Sequence, residues 1–472
     1  MFDKFSEKNI WVSAKAPVGG NGSFEKPFSK IKDALDCAVA SSVVVLLSGN
    51  YEEKLVVSDL CGSIEEPITI LAYNENSKDV ISYSDWYFYS TKDIVIKGIV
   101  FRKTANAAIS IIGEAERCSI KDCEFIECGE VSECSVFFGG SGGACNVVEN
   151  CEFVAPKNAD NHIAVMISQS TDENDEKIIP NSKNTSVRFC RFKNCKTAIV
   201  IGSDENICGL FGGHEVCSCS FDTCETGVKI KVSGTQICGN IFRNINSAII
   251  TDAGGENEIF ENRFEKCGNA LVIGSDDITV AENCFIDSKI SFDGEEENKE
   301  ALPVLIHENT FISNSGDEVI CARCKSTAFA SKNIFYNCDI AEQYIDEADN
   351  IFEKNNIFAD FSNGDFSTDT NYGCKSGAEK LLAIDEIPKV DIVELFKKQE
   401  KEHETTNDRE NALAKHGHLS EKTIEERDLF IKAMYFQNDE ENDDDDEIEF
   451  EASHVGYEGL RPIGIDGELE DN

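Results

Sequence analysis

A phenylalanine recurs along most of this 472-residue chain, and the step from one to the next is never shorter than 21 residues. Most steps lie between 21 and 29 residues, and the longest is 39. A constant minimum with occasional longer steps is typical of a repeat whose loops vary in length. The recurring residues are Phe101, Phe125, Phe153, Phe192, Phe221, Phe242, Phe264, Phe285, Phe311, Phe335 and Phe358.

Short runs that alternate apolar and polar residues lie between these phenylalanines, as in residues 197–201 and 270–273. Period-two alternation of β-branched residues indicates short strands, and no run in this region has the 3.6-residue period of a helix. Strands at a fixed interval with no helix between them predict an all-β solenoid. The predicted fold is a right-handed parallel β-helix with about 21–24 residues per coil.

Two further columns share the register of the phenylalanines. Two residues before the phenylalanine, the early coils carry cysteine and the later coils carry asparagine, whose amide can donate to one coil and accept from the next. These positions are Cys123, Cys151, Cys190, Cys219, Asn240, Asn262, Asn283, Asn309, Asn333 and Asn356. Another thiol column, three residues after the phenylalanine, is Cys128, Cys195, Cys224, Cys267 and Cys338. These thiols could bind a soft metal, but zinc needs a tetrahedral set of ligands and these thiols lie in a straight line. The column therefore favours cysteine as a small residue that packs in the core, and no metal site is predicted.

The β-helix is expected to occupy residues 1–375, with a capping helix at 27–40. The first coils would be Val43–Leu47, Leu55–Val57 and Ile68–Ala72. Residues 376–436 are predicted to be a helical extension, and residues 437–472 an acidic, disordered tail.

The net charge of −44 disfavours binding to nucleic acid and to anionic membranes, and more weakly to strongly anionic polysaccharides. A polysaccharide remains the expected partner, and the acidic tail is a candidate surface for a protein partner. The first residues lack the apolar segment of a secretory signal. Together with 21 cysteines, an odd number, this predicts reduced thiols and a cytoplasmic location, with export by another route as the alternative.

Three segments near the start are similar to the β-helical polysaccharide lyases of the alginate-lyase and chondroitinase-B family, and the similarity extends over about residues 10–290. They are residues 22–35, residues 49–51 and residues 67–73. The resemblance implies β-elimination on a uronic-acid polysaccharide, with a lysine base, an arginine acid and a Ca²⁺ held by Asn and Glu. Residues 231–234, followed by residues 240–244, are similar to the lysine-containing coil of that family.

The resemblance makes Lys231 the candidate base. The coil that should carry the arginine has residues 251–254, Thr-Asp-Ala-Gly, and the two expected glutamates fall on Cys224 and Thr226. Asp252 and Glu225 are therefore the candidate carboxylates, and Lys229 and Arg243 the candidate substrate-binding residues.

Lys231 and Asp252 each lie ten residues after a column phenylalanine, so they should stack on adjacent coils within about 5 Å. The pair is either a remodelled base or binding pair, or a simple cross-strand ion pair. No cofactor is predicted, and Ca²⁺ would follow only if the chain is a lyase. The insertion at 168–184 could wall a groove or be a tolerated loop. The glycine-rich residues 139–143 favour a flexible turn over a phosphate loop.

Three functions follow from these observations. The first is a non-catalytic protein with a carbohydrate-binding or scaffold role. The second is an active polysaccharide lyase, or another carbohydrate-active enzyme, with Lys231 as its base. The third is an intracellular assembly protein that recruits partners through its tail.

Overall fold

A computed structural model describes most of the repeat region and none of the C-terminal extension or tail. The described residues are 8–73, 78–131, 134–139, 143–156, 161–167, 183–202, 212–292, 304–321, 328–340, 345–355, 357–358 and 373. The predictions for the domains at 376–436 and 437–472 lie outside this part. So do Asn356, most of the insertion at 168–184 and the centre of the glycine-rich segment.

The described strands form three sheets in which every pairing is parallel, and each strand pairs with the equivalent strands of the coils before and after it. Sheet A has the strands Asn9–Val12, Val43–Leu46, Ile68–Ala72, Ile94–Lys97, Ser119–Lys121, Val147–Glu149, Ser186–Arg188, Glu215–Cys217, Gln236–Cys238, Asn257–Phe260, Ile278–Ala281, Val304–His307, Ala328–Ser331 and Ile345–Ala348. Sheet B has Gly49–Tyr51, Val80–Ser82, Val100–Arg102, Glu124–Ile126, Glu152–Val154, Arg191–Lys193, Ser220–Asp222, Ile241–Arg243, Arg263–Glu265, Cys284–Ile286, Thr310–Ile312, Ile334–Tyr336 and Ile351–Glu353. Sheet C has Leu55–Ser58, Trp86–Tyr89, Ile109–Ile112, Cys134–Gly139, Ile163–Ile167, Thr197–Ile201, Thr226–Ile230, Ser247–Thr251, Asn269–Ile273, Ile290–Phe292, Glu318–Cys321 and Asp339–Ile340.

The phenylalanine repeat forms one continuous stack in the core on sheet B. Neighbouring rings from Phe101 to Phe335 have centroids 4.5–5.3 Å apart and planes within 9° of parallel. This spacing follows from the strand spacing of a sheet, about 4.8 Å, because one ring sits on each strand. The parallel β-helix predicted from the spacing is therefore confirmed.

The last member of the predicted series is wrong. Phe335 pairs and stacks with Phe352, at 4.8 Å, and not with Phe358. Phe358 is buried in a small separate cluster, where its ring meets that of Tyr336 edge-on at 5.5 Å. In this last described coil the step between phenylalanines is 17 residues, and the sheet C strand, Asp339–Ile340, has only two residues.

The asparagine column is a continuous hydrogen-bonded ladder. The Nδ2 of Asn240 donates to the Oδ1 of Asn262 at 2.9 Å, and the same bond repeats down the column at 3.0–3.1 Å. Asn333 donates to Asn350, which takes the position that the spacing had given to Asn356. The ladder is fully buried through Asn333, so each amide replaces water as the partner of groups from neighbouring coils.

Turns between sheets are made by residues in the left-handed backbone region. One such residue directly precedes the ladder position and another lies two residues after the phenylalanine, for example Glu261 and Lys266, each with φ near 54°. This conformation turns the chain sharply while the next residue, Asn262 or Cys267, points into the core. Most of these residues are not glycine, so glycine content does not reveal the turns.

The predicted capping segment contains one helix, Ile31–Leu35, shorter than the 27–40 expected. Ile31, Ala34 and Leu35 are buried against the first coils. The carboxylate of Glu53 accepts the backbone N–H groups of Ile31 at 2.7 Å and Lys32 at 3.2 Å. A side chain from the first coil thus satisfies the helix start, which stabilises it. In the described part of the chain, no helix has the length and apolar character needed to cross a membrane.

Candidate functional site

The outer face of sheet C carries one column of side chains that runs along the β-helix. Inward residues alternate with outward ones, so Trp86 and Phe88 are buried while Tyr87 is half-buried and Tyr89 is exposed. The strand register places the column residues opposite one another on successive coils: Val56, Tyr87, Ser110, Phe137, Met166, Val200, Lys229, Ile250 and Val272. The early half of the face is thus apolar and aromatic.

The candidate lysines lie on this same face. Lys229 and Lys231 flank the inward Ile230, and Ile230 is in register with Thr251 of the next coil. Lys231 and Asp252 therefore occupy adjacent coils, as the phenylalanine spacing predicts. The carboxylate of Asp252 lies 2.7 Å from the Nζ of Lys229, so Lys229 forms an ion pair with it. Each side chain of this pair is about one third exposed.

The other two candidate residues are not brought to this pair. Glu225 precedes the strand Thr226–Ile230 and Lys231 follows it, so about six extended residues, roughly 20 Å, separate their backbones. Glu225 is exposed and forms an ion pair with Lys196. Arg243 lies on sheet B, where its Nε donates to Glu265 at 2.7 Å. The predicted set of Lys231, Asp252, Glu225 and Arg243 thus does not form one constellation.

The calcium ion of the resembled lyases does not fit these positions. A calcium site needs six to eight oxygen ligands. The Sγ of Cys224 is buried in the core, 3.8 Å from the carbonyl oxygen of Phe192, and the Glu225 carboxylate is held by Lys196. We therefore derive no chemistry through Ca²⁺ at this place.

A second group of residues was not singled out by the sequence pattern. Glu215, Cys217 and Cys238 lie on the neighbouring sheet A strands Glu215–Cys217 and Gln236–Cys238, and one ligand atom from each lies within 4.8 Å of the others. Cys217 and Cys238 flank the inward Val216 and Ile237, so they point away from the core. That alternation, read in both strands, is the signal that could have separated them from the core thiol columns.

Comparisons with known proteins agree with the geometry. A family model described as periplasmic copper-binding protein (NosD) matches residues 157–320, about a third of the chain. Among solved structures, a PL6 family alginate lyase, AlyGC, has a TM-score of 0.53 at 13% identity, over 73% of this chain and 55% of that one. A PL6 family polysaccharide lyase from Pseudopedobacter saltans has a TM-score of 0.54 at 14% identity, over 78% of this chain and 98% of that one.

The chain has the right-handed parallel β-helix fold of the polysaccharide lyases. The chain covers just over half the length of the alginate lyase. At such low sequence identity, the similarity shows only that the fold is shared. A search of curated proteins gives no match.

The predicted cytoplasmic location is wrong, because it conflicts with the periplasmic description of the family that matches residues 157–320. The thiols had suggested a reducing compartment, but a buried thiol protected by packing is a weak guide to the compartment.

Proposed function

We propose that this protein binds a polysaccharide along the outer face of sheet C and does not cleave it by the lysine mechanism of the lyases it resembles. The observation that carries the proposal is the composition of that face. Aromatic and apolar side chains occupy its early coils, and Asp252, which is paired with Lys229 of the preceding coil, lies where the lyases would keep their acid.

The aromatic part of the face suits a sugar ring. Tyr89 is 52% exposed. On the same face, Tyr87 and Phe137 belong to one outward column, with Ser110 between them. The Nζ of Lys54 lies 5.0 Å from the centre of the Tyr87 ring, which holds that ring in place. Exposed aromatic rings supply contact area with little loss of conformational freedom, as extended ligands require.

The charged part of the face suits binding more than catalysis. A lysine that acts as a base must be neutral at working pH, which burial or a neighbouring cation brings about. The neighbour on the next coil is not a cation but the carboxylate of Asp252, which lies opposite Lys231 and forms an ion pair with Lys229. From Tyr87 to Lys229 the column crosses five strand spacings, about 24 Å, which is long enough for several sugar units.

The test combines binding with turnover on alginate, pectin, chondroitin and an uncharged glucan. We expect retarded migration of the protein in gels that contain a bound polysaccharide, without formation of unsaturated uronate ends. Tyr89→Ala should weaken binding up to about tenfold, since an aromatic contact is worth about 0.5–1.5 kcal/mol. Tyr73→Ala is the matched control, because Tyr73 is 41% exposed but lies at the end of a sheet A strand, against Trp11.

Two results would contradict the proposal. One is an equal loss of affinity in Tyr89→Ala and Tyr73→Ala, which would place the polysaccharide elsewhere. The other is formation of unsaturated products that disappears in Lys231→Ala, which would make the protein an active lyase.

A further inference from the structure

We propose that Glu215, Cys217 and Cys238 form a binding site for a thiophilic divalent cation of the Zn²⁺ type on the outer face of sheet A. This site is independent of the polysaccharide face, because it lies on a different sheet. The inference rests on the positions of three donor atoms, on their exclusion from the core, and on the chemistry of the donors.

The strand register brings the donors together. Cys217 is in register with Cys238 on the next coil, so the two side chains stand side by side about one strand spacing apart. Glu215 is two residues before Cys217 and therefore points to the same side of the sheet. The two sulfur atoms and a carboxylate oxygen all lie within 4.8 Å of one another.

These thiols differ from the filling thiols of the core columns. Cys219 and Cys224 pack among the core side chains, and their Sγ atoms lie against backbone carbonyl oxygens of the preceding coil. Cys217 and Cys238 are also buried, at 6% and 1% exposure, but they lie outside the core cluster. Their burial outside the core places the two thiols beside one another and beside Glu215, where all three donors face the same side of the sheet.

Charged and polar side chains lie beside these donors on the same face. The guanidinium of Arg188 stands on the coil before Cys217 and binds Glu149. The Ser186 hydroxyl donates to the Glu215 carboxylate at 2.7 Å and orients it.

The donor set favours Zn²⁺ over Cu⁺. Zn²⁺ accepts sulfur at about 2.3 Å and carboxylate oxygen at about 2.0–2.2 Å, and tetrahedral geometry puts two sulfurs about 3.8 Å apart. Side chains one strand spacing apart reach that separation with small rotations. A soft Cu⁺ ion is satisfied by the two thiolates alone and gains little from a carboxylate. Three protein donors leave a fourth position for water.

The experiment uses the full chain, reduced and freed of metal, with Zn²⁺ competing against a chromophoric chelator and Co²⁺ as a spectroscopic probe. We expect tight binding of one Zn²⁺ and a thiolate-to-cobalt charge-transfer absorption. Both should be lost in Cys217→Ala and in Cys238→Ala. Glu215→Gln should weaken Zn²⁺ binding at least tenfold, since even residues that only support metal ligands contribute tenfold to hundredfold.

The control is Cys224→Ala, which removes a buried thiol that lies beside Cys195 inside the core. This variant should keep the Zn²⁺ affinity, and circular dichroism checks that every variant is folded. The proposal is overturned if Zn²⁺ affinity is the same in all variants, or if Glu215→Gln has no effect on it. It is also overturned if the reduced pair binds only Cu⁺, or only forms a disulfide on oxidation and takes up no Zn²⁺.

Discussion

The asparagine ladder predicts a large and local effect for the substitution Asn283→Ala. The Asn283 amide donates to the carbonyl oxygens of Ile259 and Ala281, both at 2.8 Å, and to Asn309 Oδ1 at 3.0 Å. Its Oδ1 accepts the backbone N–H of Asn262 at 2.9 Å and the Asn262 amide at 3.0 Å. Alanine removes all of these bonds in a place that water does not reach.

The magnitude follows from the groups that are left without a partner. The backbone N–H of Asn262 loses its acceptor, and a buried unsatisfied donor costs about 1–3 kcal/mol. The carbonyl of Ile259 loses a donor, and the Asn309 amide oxygen loses one of its two. We therefore expect a loss of about 3 kcal/mol in the free energy of unfolding.

The matched variant is Asn283→Cys, because the early coils carry cysteine at this position. There the Sγ of Cys219 accepts the backbone N–H of Cys190 at 3.4 Å and donates to the Val187 carbonyl at 3.4 Å. A thiol at position 283 should replace part of the ladder, so Asn283→Cys should cost about half as much as Asn283→Ala.

Hydrogen exchange followed by mass spectrometry is the assay, because it reports on the peptide around Asn262 as well as on the whole chain. A loss of 3 kcal/mol corresponds to roughly hundredfold faster exchange there. Equal exchange in wild type and Asn283→Ala, or a larger effect for cysteine than for alanine, would refute the role assigned to the ladder.

Three further predictions concern stability, each measured as a urea unfolding midpoint. Burial lowers the pKa of His162 and His214 to about 4, so the unfolded state binds more protons below about pH 6.5; stability should fall by about 2 kcal/mol per histidine at pH 5, and His162→Gln should reduce this dependence. Glu149→Gln should cost about 3 kcal/mol, because the Arg188 guanidinium, 2.8 Å from Glu149, and the nearby Lys121 ammonium would lose their shared partner; an unchanged midpoint would contradict this. Phe264→Ala should cost about 3–5 kcal/mol and Phe264→Leu clearly less, since the ring is stacked on both sides; similar costs for both would argue against a role for the stack.

The fold could be predicted from the sequence because its strongest signal is periodic. A stack of rings needs the same residue at each coil, so Phe125 to Phe335 could be placed in register from spacing alone. The end of the repeat was harder to place, because residues 349–352 and 355–358 both have an asparagine two residues before a phenylalanine. The first of these continues the stack, at a spacing of 17 residues that lies below the minimum of the other coils.

The candidate site was less predictable because it depends on side-chain direction and on contacts between coils. Spacing placed Lys231 beside Asp252, but which lysine reaches the carboxylate depends on rotamers, and Lys229 is the one at 2.7 Å. Glu225 and Lys231 are close in sequence, yet an extended strand separates them. Cys217 and Cys238 each lie four residues before a column phenylalanine, so spacing alone would place them in register, but it does not show that they point outward beside Glu215.

The identical stacking of successive coils has a consequence for how such a chain can change in length. Residues 240–261 comprise one whole turn, and their removal would bring Asn262 next to Gly239. Phe264 would then lie on Phe221, and the Oδ1 of Asn262 would face the backbone N–H of Cys219, which now binds Asn240. Each exposed residue after the deletion would shift along the axis of the β-helix by one strand spacing and would stay on the same face. Gain or loss of a whole turn thus changes the distance between features that lie on other turns of the same face and leaves the residues of those features unchanged.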